Sequence, residues 1–261
     1  MMSAKGIVLK SRREIDLIRE GGRLIREALE RARATINPGV RTVTVNEAIE
    51  RYLLGQGVRL AFRGYVAKSG QPPFPAGSCI SVNDEVVHGI PGERILQEGD
   101  IASIDIGVER NGYYADAAAT FPVGRIEPRT RSLLQATERA LARGIEAARP
   151  GGRLSGICRA IQEEVEGAGF SVVRQFVGHG VGASLHEEPS VPNFLSDDML
   201  RNDLLLEPGL VIAIEPMVNA GGPEVRETRN RWTVRTRDGN LSAHFEHTVA
   251  VTETGPEVLT R

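Results

Sequence analysis

The chain has 261 residues, 41% of them hydrophobic and 25% charged, which is the mixture of a globular protein long enough to bury a large core. Its 32 basic and 34 acidic residues are interspersed and leave a net charge of −2, so nothing in the balance marks a nucleic-acid binder. Two cysteines, Cys79 and Cys158, without CxxC spacing argue against a disulfide framework or a thiolate zinc site, and no run approaches the roughly 20 apolar residues of a membrane span.

The start, MMSAKGIVLKSRREIDLIREGG, is charged every few residues and lacks the apolar core of a signal peptide, so a soluble, cytoplasmic, monomeric protein is expected. Ser11 and Glu14 form a capping-box pattern ahead of a helical stripe at Ile15, Ile18, Ile25, Ala28 and Leu29. Thr44 and Glu47 repeat that pattern and predict a helix stopping near Gly55 or Gly57. SCISVNDEVVHGIP (78–91) then ends on His88, beside Gly89 and ahead of a Pro91-Gly92 turn.

IDIGVERNGYYAD (104–116) is the most informative stretch. Asn111-Gly112 predicts a type I′ hairpin that pairs Arg110 with Tyr113, Val108 with Ala115 and Gly107 with Asp116. Asp105 and Asp116 then become diagonal neighbours, about 7–8 Å apart at Cα, on a half-buried face. Two carboxylates aimed at one spot repel unless a cation separates them, and Gly107 is expected to leave space for it. A solvent-facing or turn-serving aspartate is the alternative, since charged residues are mostly exposed.

Two further helices are predicted at 130–148 and 155–169, and with them a repeat emerges. Pro38-Gly39, Arg41, Ala48-Ile49, Gly55 and Gly57 recur at one constant offset as Pro150-Gly151, Arg153, Ala160-Ile161, Gly167 and Gly169. LQEGDIASID (96–105) recurs as LEPGLVIAIE (206–215), which sets Glu215 where Asp105 stands in the first half. The matched order of turn, helix, glycine and acid-ending strand predicts duplication and an α+β architecture: two halves with helices outside and antiparallel strands inside. A pseudo-twofold would bring both acids to one cleft.

The second half adds candidates. FVGHGVGASLHEEPSVPNF (176–194) carries His179, among glycines that suit close backbone approach, and His186. His186-Glu187-Glu188-Pro189 is not the HExxH zinc motif, because position 190 is serine and Pro189 breaks a helix. Glu215 in AIEPMVN and Glu246 in SAHFEHTVAV are acids within apolar runs, costly to bury unless neutralised. For His179 a satisfied structural histidine is the alternative, and for Glu246 an exposed strand face.

Taken together, CISVNDEVVHGIP, IDIG with NGYYAD, GHGVGASLHEEP, AIEPMVN and FEHT resemble type I methionine aminopeptidases in this order and spacing, from about Ser11 to the C-terminus. The resemblance implies the pita-bread (creatinase/aminopeptidase) fold: two pseudo-symmetric halves with a central antiparallel sheet and outer helices. They would form a single catalytic domain over 1–261 whose repeat spans roughly 11–125 and 126–255. It also implies a dinuclear centre that removes the initiator methionine from nascent polypeptide N-termini, with encounter at the ribosome and no nucleic-acid or membrane partner.

By position, the resemblance makes Asp105, Asp116, His179, Glu215 and Glu246 the metal ligands, with Asp116 and Glu246 bridging, Asp105 on one ion, and His179 with Glu215 on the other. One nitrogen among oxygen ligands suits Mn, Fe(II) or Co, with Zn a further option. Glu215 would also shuttle the proton. His186 would steady the oxyanion, His88 would contact the substrate opposite it, and Phe74, Cys79 and Trp232 would form the methionine pocket. KSGQPPFPAG (68–77) departs from the more aromatic version of some members, which puts the pocket's upstream wall in doubt. The 29 positions from His186 to Glu215 (215 − 186) leave no room for the type II insertion, and the short run before the first helix is expected to lack an amino-terminal zinc-binding extension. The rivals are an X-Pro aminopeptidase or prolidase, which usually carries a preceding domain not expected here, and a non-catalytic binding protein on the same fold.

Overall fold

The computed structural model describes residues 6–261, so the first five residues of the charged start lie outside the described chain. Four long helices frame the molecule: α1 (Arg12–Thr35), α2 (Thr42–Gly55), α3 (Pro128–Ala147) and α4 (Leu154–Gly167), followed by a short α5 (Asp197–Arg201). At α1 the capping box forms: the Ser11 side chain accepts from the Glu14 backbone, and the Glu14 carboxylate accepts from Ser11 N–H. Ile15, Ile18, Ile25 and Ala28 are buried against Ile104, Ile106, Val108, Ala115 and Ala117, so the stripe read from the sequence is the face laid on the sheet.

The second helix departs from expectation. It begins at Thr42, not after Thr44, and has no side-chain cap. Its free N–H groups are satisfied from a distant loop instead: Thr42 N–H donates to Arg94 O at 2.9 Å and Val43 N–H to Gly92 O at 2.9 Å. A tertiary contact does the work of a cap, which local sequence could not reveal.

The hairpin Ile101–Arg110 with Tyr113–Pro122 has the predicted register, including Gly107 opposite Asp116 and Asp105 opposite Ala118. Asn111 and Gly112 take φ of 55° and 84°, as a type I′ turn requires. On the far edge of Ile101–Arg110 pair Arg59–Leu60 and Cys79–Val82, completing a four-stranded sheet. In the second half a five-stranded sheet runs in the order Gly255–Val258, His247–Thr252, Val211–Ile214, Gly178–Gly180, Glu187–Val191, and α3 and α4 pack over it.

The two halves repeat one another in detail. Gly39 N–H donates to Leu96 O and Gly151 N–H to Leu206 O; Arg41 bridges Ile95 and Arg153 bridges Leu205. Gly99 and Gly209 both turn with positive φ, 92° and 95°. We propose on these pairs that the chain is one catalytic domain built on an internal repeat. Where the halves meet, Tyr113–Pro122 lies along residues 244–248: Glu246 N–H donates to Ala118 O at 2.8 Å, and Thr248 Oγ1 donates to Asp116 O at 2.7 Å.

Candidate metal centre and substrate cavity

That seam sets Asp116 beside Glu246. In the five-stranded sheet His247 pairs with Ile214, so Glu246 and Glu215 fall opposite one another where their strands begin and end. Gly178–Gly180 lies between Glu187–Val191 and Val211–Ile214 and carries His179 into the same space. The flanking glycines are required by close approach. A Cβ on Gly178 would stand 2.3 Å from Ala213 O, and one on Gly180 would stand 2.3 Å from Glu188 O.

One atom each of Asp116, His179 and Glu246 lie within 4.8 Å of one another. His179 Nε2 is 4.0 Å from Asp116 Oδ2 and 3.6 Å from Glu215 Oε1. His179 Nδ1 is 2.9 Å from Gly180 O; donating there fixes the tautomer and turns the lone pair of Nε2 toward the acids. Asp116 and Glu246 are 4% and 2% exposed, and Asp105 Oδ1, Asp116 Oδ1 and Glu246 Oε1 hydrogen-bond to no group of the described chain. Burial above all pushes Asp105 up to about 7 and Asp116 and Glu246 well above the usual carboxylate range; mutual repulsion adds to the rise for Asp116 and Glu246. Orphaned, desolvated carboxylates beside an oriented imidazole form a donor set that fits divalent cations, which would supply the missing partners and favour the ionised forms.

The space beside Gly107 is not open as expected. A Cβ there would meet Phe62 Cε1 at 2.9 Å and Ala61 Cβ at 3.1 Å, so the glycine admits the Phe62 ring under the site. Phe62 is one wall of a cavity of about 300 Å³ lined by all ten residues singled out from the sequence: Phe74, Cys79, His88, Asp105, Asp116, His179, His186, Glu215, Trp232 and Glu246.

The apolar end is built from Phe74 and Trp232, edge to face at 5.1 Å between centroids, with Cys79 buried nearby and its thiol pushed well up by burial and the acids. The doubtful stretch 68–77 is tied down there: Trp232 Nε1–H donates to Pro72 O at 2.8 Å. His88 adopts left-handed backbone, φ 58°, directly ahead of Gly89, which is pressed against Ile80 O where a Cβ would come within 2.2 Å. Its ring stands edge-on to Phe176 and Trp232, and desolvation lowers its pKa to about 4. His186 stands at the open mouth, its ring 4.2 Å from that of His179 and its Nδ1 2.9 Å from the Tyr65 hydroxyl.

Sequence reasoning missed Phe62, Tyr65, Phe176 and His244. Nothing local marks the first three. His244 is 2% exposed with Nε2 3.6 Å from Glu215 Oε2, and the period-2 rule applied back from Glu246 would have found it.

Comparison with known proteins agrees with this geometry. Residues 16–253 match metallopeptidase family M24. Methionine aminopeptidase 1 of Bacillus subtilis is 47% identical over 255 residues, 98% of this chain and 99% of that protein. The crystal structure of methionine aminopeptidase from Thermotoga maritima superposes with a TM-score of 0.92 at 39% identity, covering 98% of this chain and 99% of that one. Prolidase from Pyrococcus furiosus shares the fold, TM-score 0.77 at 23% identity over 97% of this chain and 65% of its own. The near-full-length identity to the first group, with the shared fold alone in the second, decides the question: this chain belongs to metallopeptidase family M24, among its methionine aminopeptidases.

Proposed function

We propose that the chain removes the initiator methionine from polypeptides whose second residue is small. The observation that carries this is the union, in one 300 Å³ cavity, of four carboxylates and an imidazole with an aromatic-lined end. Asp105, Asp116, His179, Glu215 and Glu246 would hold two divalent ions of the Mn, Fe(II), Co or Zn class. Four ionised carboxylates balance the charge of two such ions. When bound, the ions supply Lewis acidity toward the scissile carbonyl and a lowered pKa for water.

The protein's own groups do the rest. Phe74, Cys79 and Trp232 take the methionine side chain, and His88 holds the substrate from the side opposite His186. Glu215 accepts the proton of the attacking water and returns it to the departing amine as the C–N bond breaks. His186, held through Nδ1 by Tyr65, presents its other nitrogen to the cavity, where it donates to the developing oxyanion.

Both cysteines are buried and free, which supports a reducing compartment such as the cytoplasm. Among the described residues no helix is long and apolar enough to cross a membrane. The test is metal analysis of the purified protein alongside hydrolysis of Met-Ala-Ser and Ala-Pro peptides with Mn(II). Release of methionine from the first alone is expected; cleavage of Ala-Pro alone would move the chain to the prolidase reading.

A further inference from the structure

An enzyme that cuts after the first residue leaves nearly all of its substrate outside the cavity, and the mouth must lead that chain somewhere. At about 300 Å³ the cavity is at the small end for ligand sites and holds a methionyl residue with a small neighbour. Tyr65 and His186, which stand at its mouth, are also walls of a second groove of about 470 Å³. Its other walls include Arg59, Arg63, Tyr114 and Leu185.

The charges of this groove are layered. Arg59 Nε–H donates to Glu109 Oε2 at 2.9 Å and its Nη2–H donates to the Tyr114 hydroxyl, while Arg63 pairs with Glu50. Both acids are anchored from behind by backbone: Gly112 N–H donates to Glu109 at 2.7 Å and Gly77 N–H to Glu50 at 2.7 Å. The acid side chains are only 20% and 12% exposed, whereas the two arginine side chains are 61% and 48% exposed. The acids thus lie underneath and hold the arginines outward, so the face shown to incoming peptide is made of the guanidinium N–H groups that Glu109, Tyr114 and Glu50 leave unused.

We propose that this groove is a subsite for the third to fifth residues of the substrate, and that Arg59 and Arg63 there take a carboxylate. The carboxylate comes from an acidic side chain or from the carboxy terminus of a short peptide. The inference rests on the reading of the cavity as a site for amino-terminal methionine.

The test is kcat/KM of the Mn(II)-loaded enzyme on Met-Ala-Asp-Ala-amide, Met-Ala-Asn-Ala-amide and Met-Ala-Lys-Ala-amide, with Met-Ala-Ala as free acid and as amide, and Met-Ala-amide as baseline. The order Asp above Asn above Lys is expected, with about fivefold between the ends, the yield of a partly exposed ion pair. Preference for the free acid of Met-Ala-Ala over its amide identifies the terminal carboxylate as a source; preference confined to the Asp series identifies the side chain. In the Arg59→Ala/Arg63→Ala protein the order should flatten while Met-Ala-amide turnover stays unchanged, and Arg63→Glu should invert it. A flat order in the wild type, or one that survives in the double variant, overturns the subsite and leaves the methionine reading intact. No release of methionine from Met-Ala-amide by the wild type overturns both.

Discussion

Removing the imidazole of His179 and removing that of His186 should have opposite signatures, although both belong to one short motif. His179 Nε2 faces Glu215 and Asp116, while His186 stands at the mouth. A metal present at 100 times its Kd stabilises the fold by about 2.7 kcal/mol. With an unfolding entropy of about 2.1 cal/mol/K per residue, 261 residues give about 0.55 kcal/mol/K, so saturating Mn(II) should raise Tm by about 5 °C. Replacing a groups that merely orient ligands costs about 10–100-fold in metal affinity, so loss of a ligand itself should cost at least the upper figure. In His179→Ala the same Mn(II) concentration would then sit near Kd, leaving about 0.4 kcal/mol and a shift under about 1 °C. Activity should return in part as Mn(II) is raised. His186→Ala should keep the full metal-induced shift and lose about 10²–10³ in kcat, the effect of deleting one oxyanion donor. Differential scanning calorimetry with and without Mn(II), paired with steady-state kinetics, reads both. A His186→Ala protein that loses the shift, beside a His179→Ala protein that keeps it, would refute the assignment.

Three more outcomes are expected. Met-Ala and Met-Ser peptides should turn over while Met-Arg peptides do not, because a large second residue meets the wall of the cavity; equal rates would contradict this. His88, its pKa lowered from 6.5 to about 4, stays neutral in the fold while the unfolded chain takes up a proton, so its contribution to stability is full above pH 6.5 and is lost as the pH falls toward 4. The gap between the Tm–pH curves of wild type and His88→Gln should therefore narrow over that range, and parallel curves would count against a buried neutral ring. Gly180→Ala places a methyl group 2.3 Å from Glu188 O and should cost about 1–3 kcal/mol, or about 2–5 °C by the same entropy, with Mn(II) affinity falling as His179 is displaced. An unchanged Tm would show that the strand yields freely.

Period and turn chemistry were legible in the residues before any fold was known. Asn111-Gly112 set the hairpin register and with it the meeting of Asp105 and Asp116, since side chains alternate strictly from a fixed turn. Ser11 and Glu14 set the start of α1, and the repeated glycines and acids foretold two halves converging on one cleft. Tertiary structure alone decided the rest, because it depends on groups far apart in the chain. Carbonyls near Gly92 cap α2 two residues ahead of Thr44, and the Phe62 ring fills the space beside Gly107. Pro72 O, 160 residues from Trp232, fixes the indole that closes the cavity. The layering of Arg59 and Arg63 over half-buried acids has no periodic signature either, because Glu109 and Glu50 are oriented by backbone N–H groups that only the folded chain brings to them.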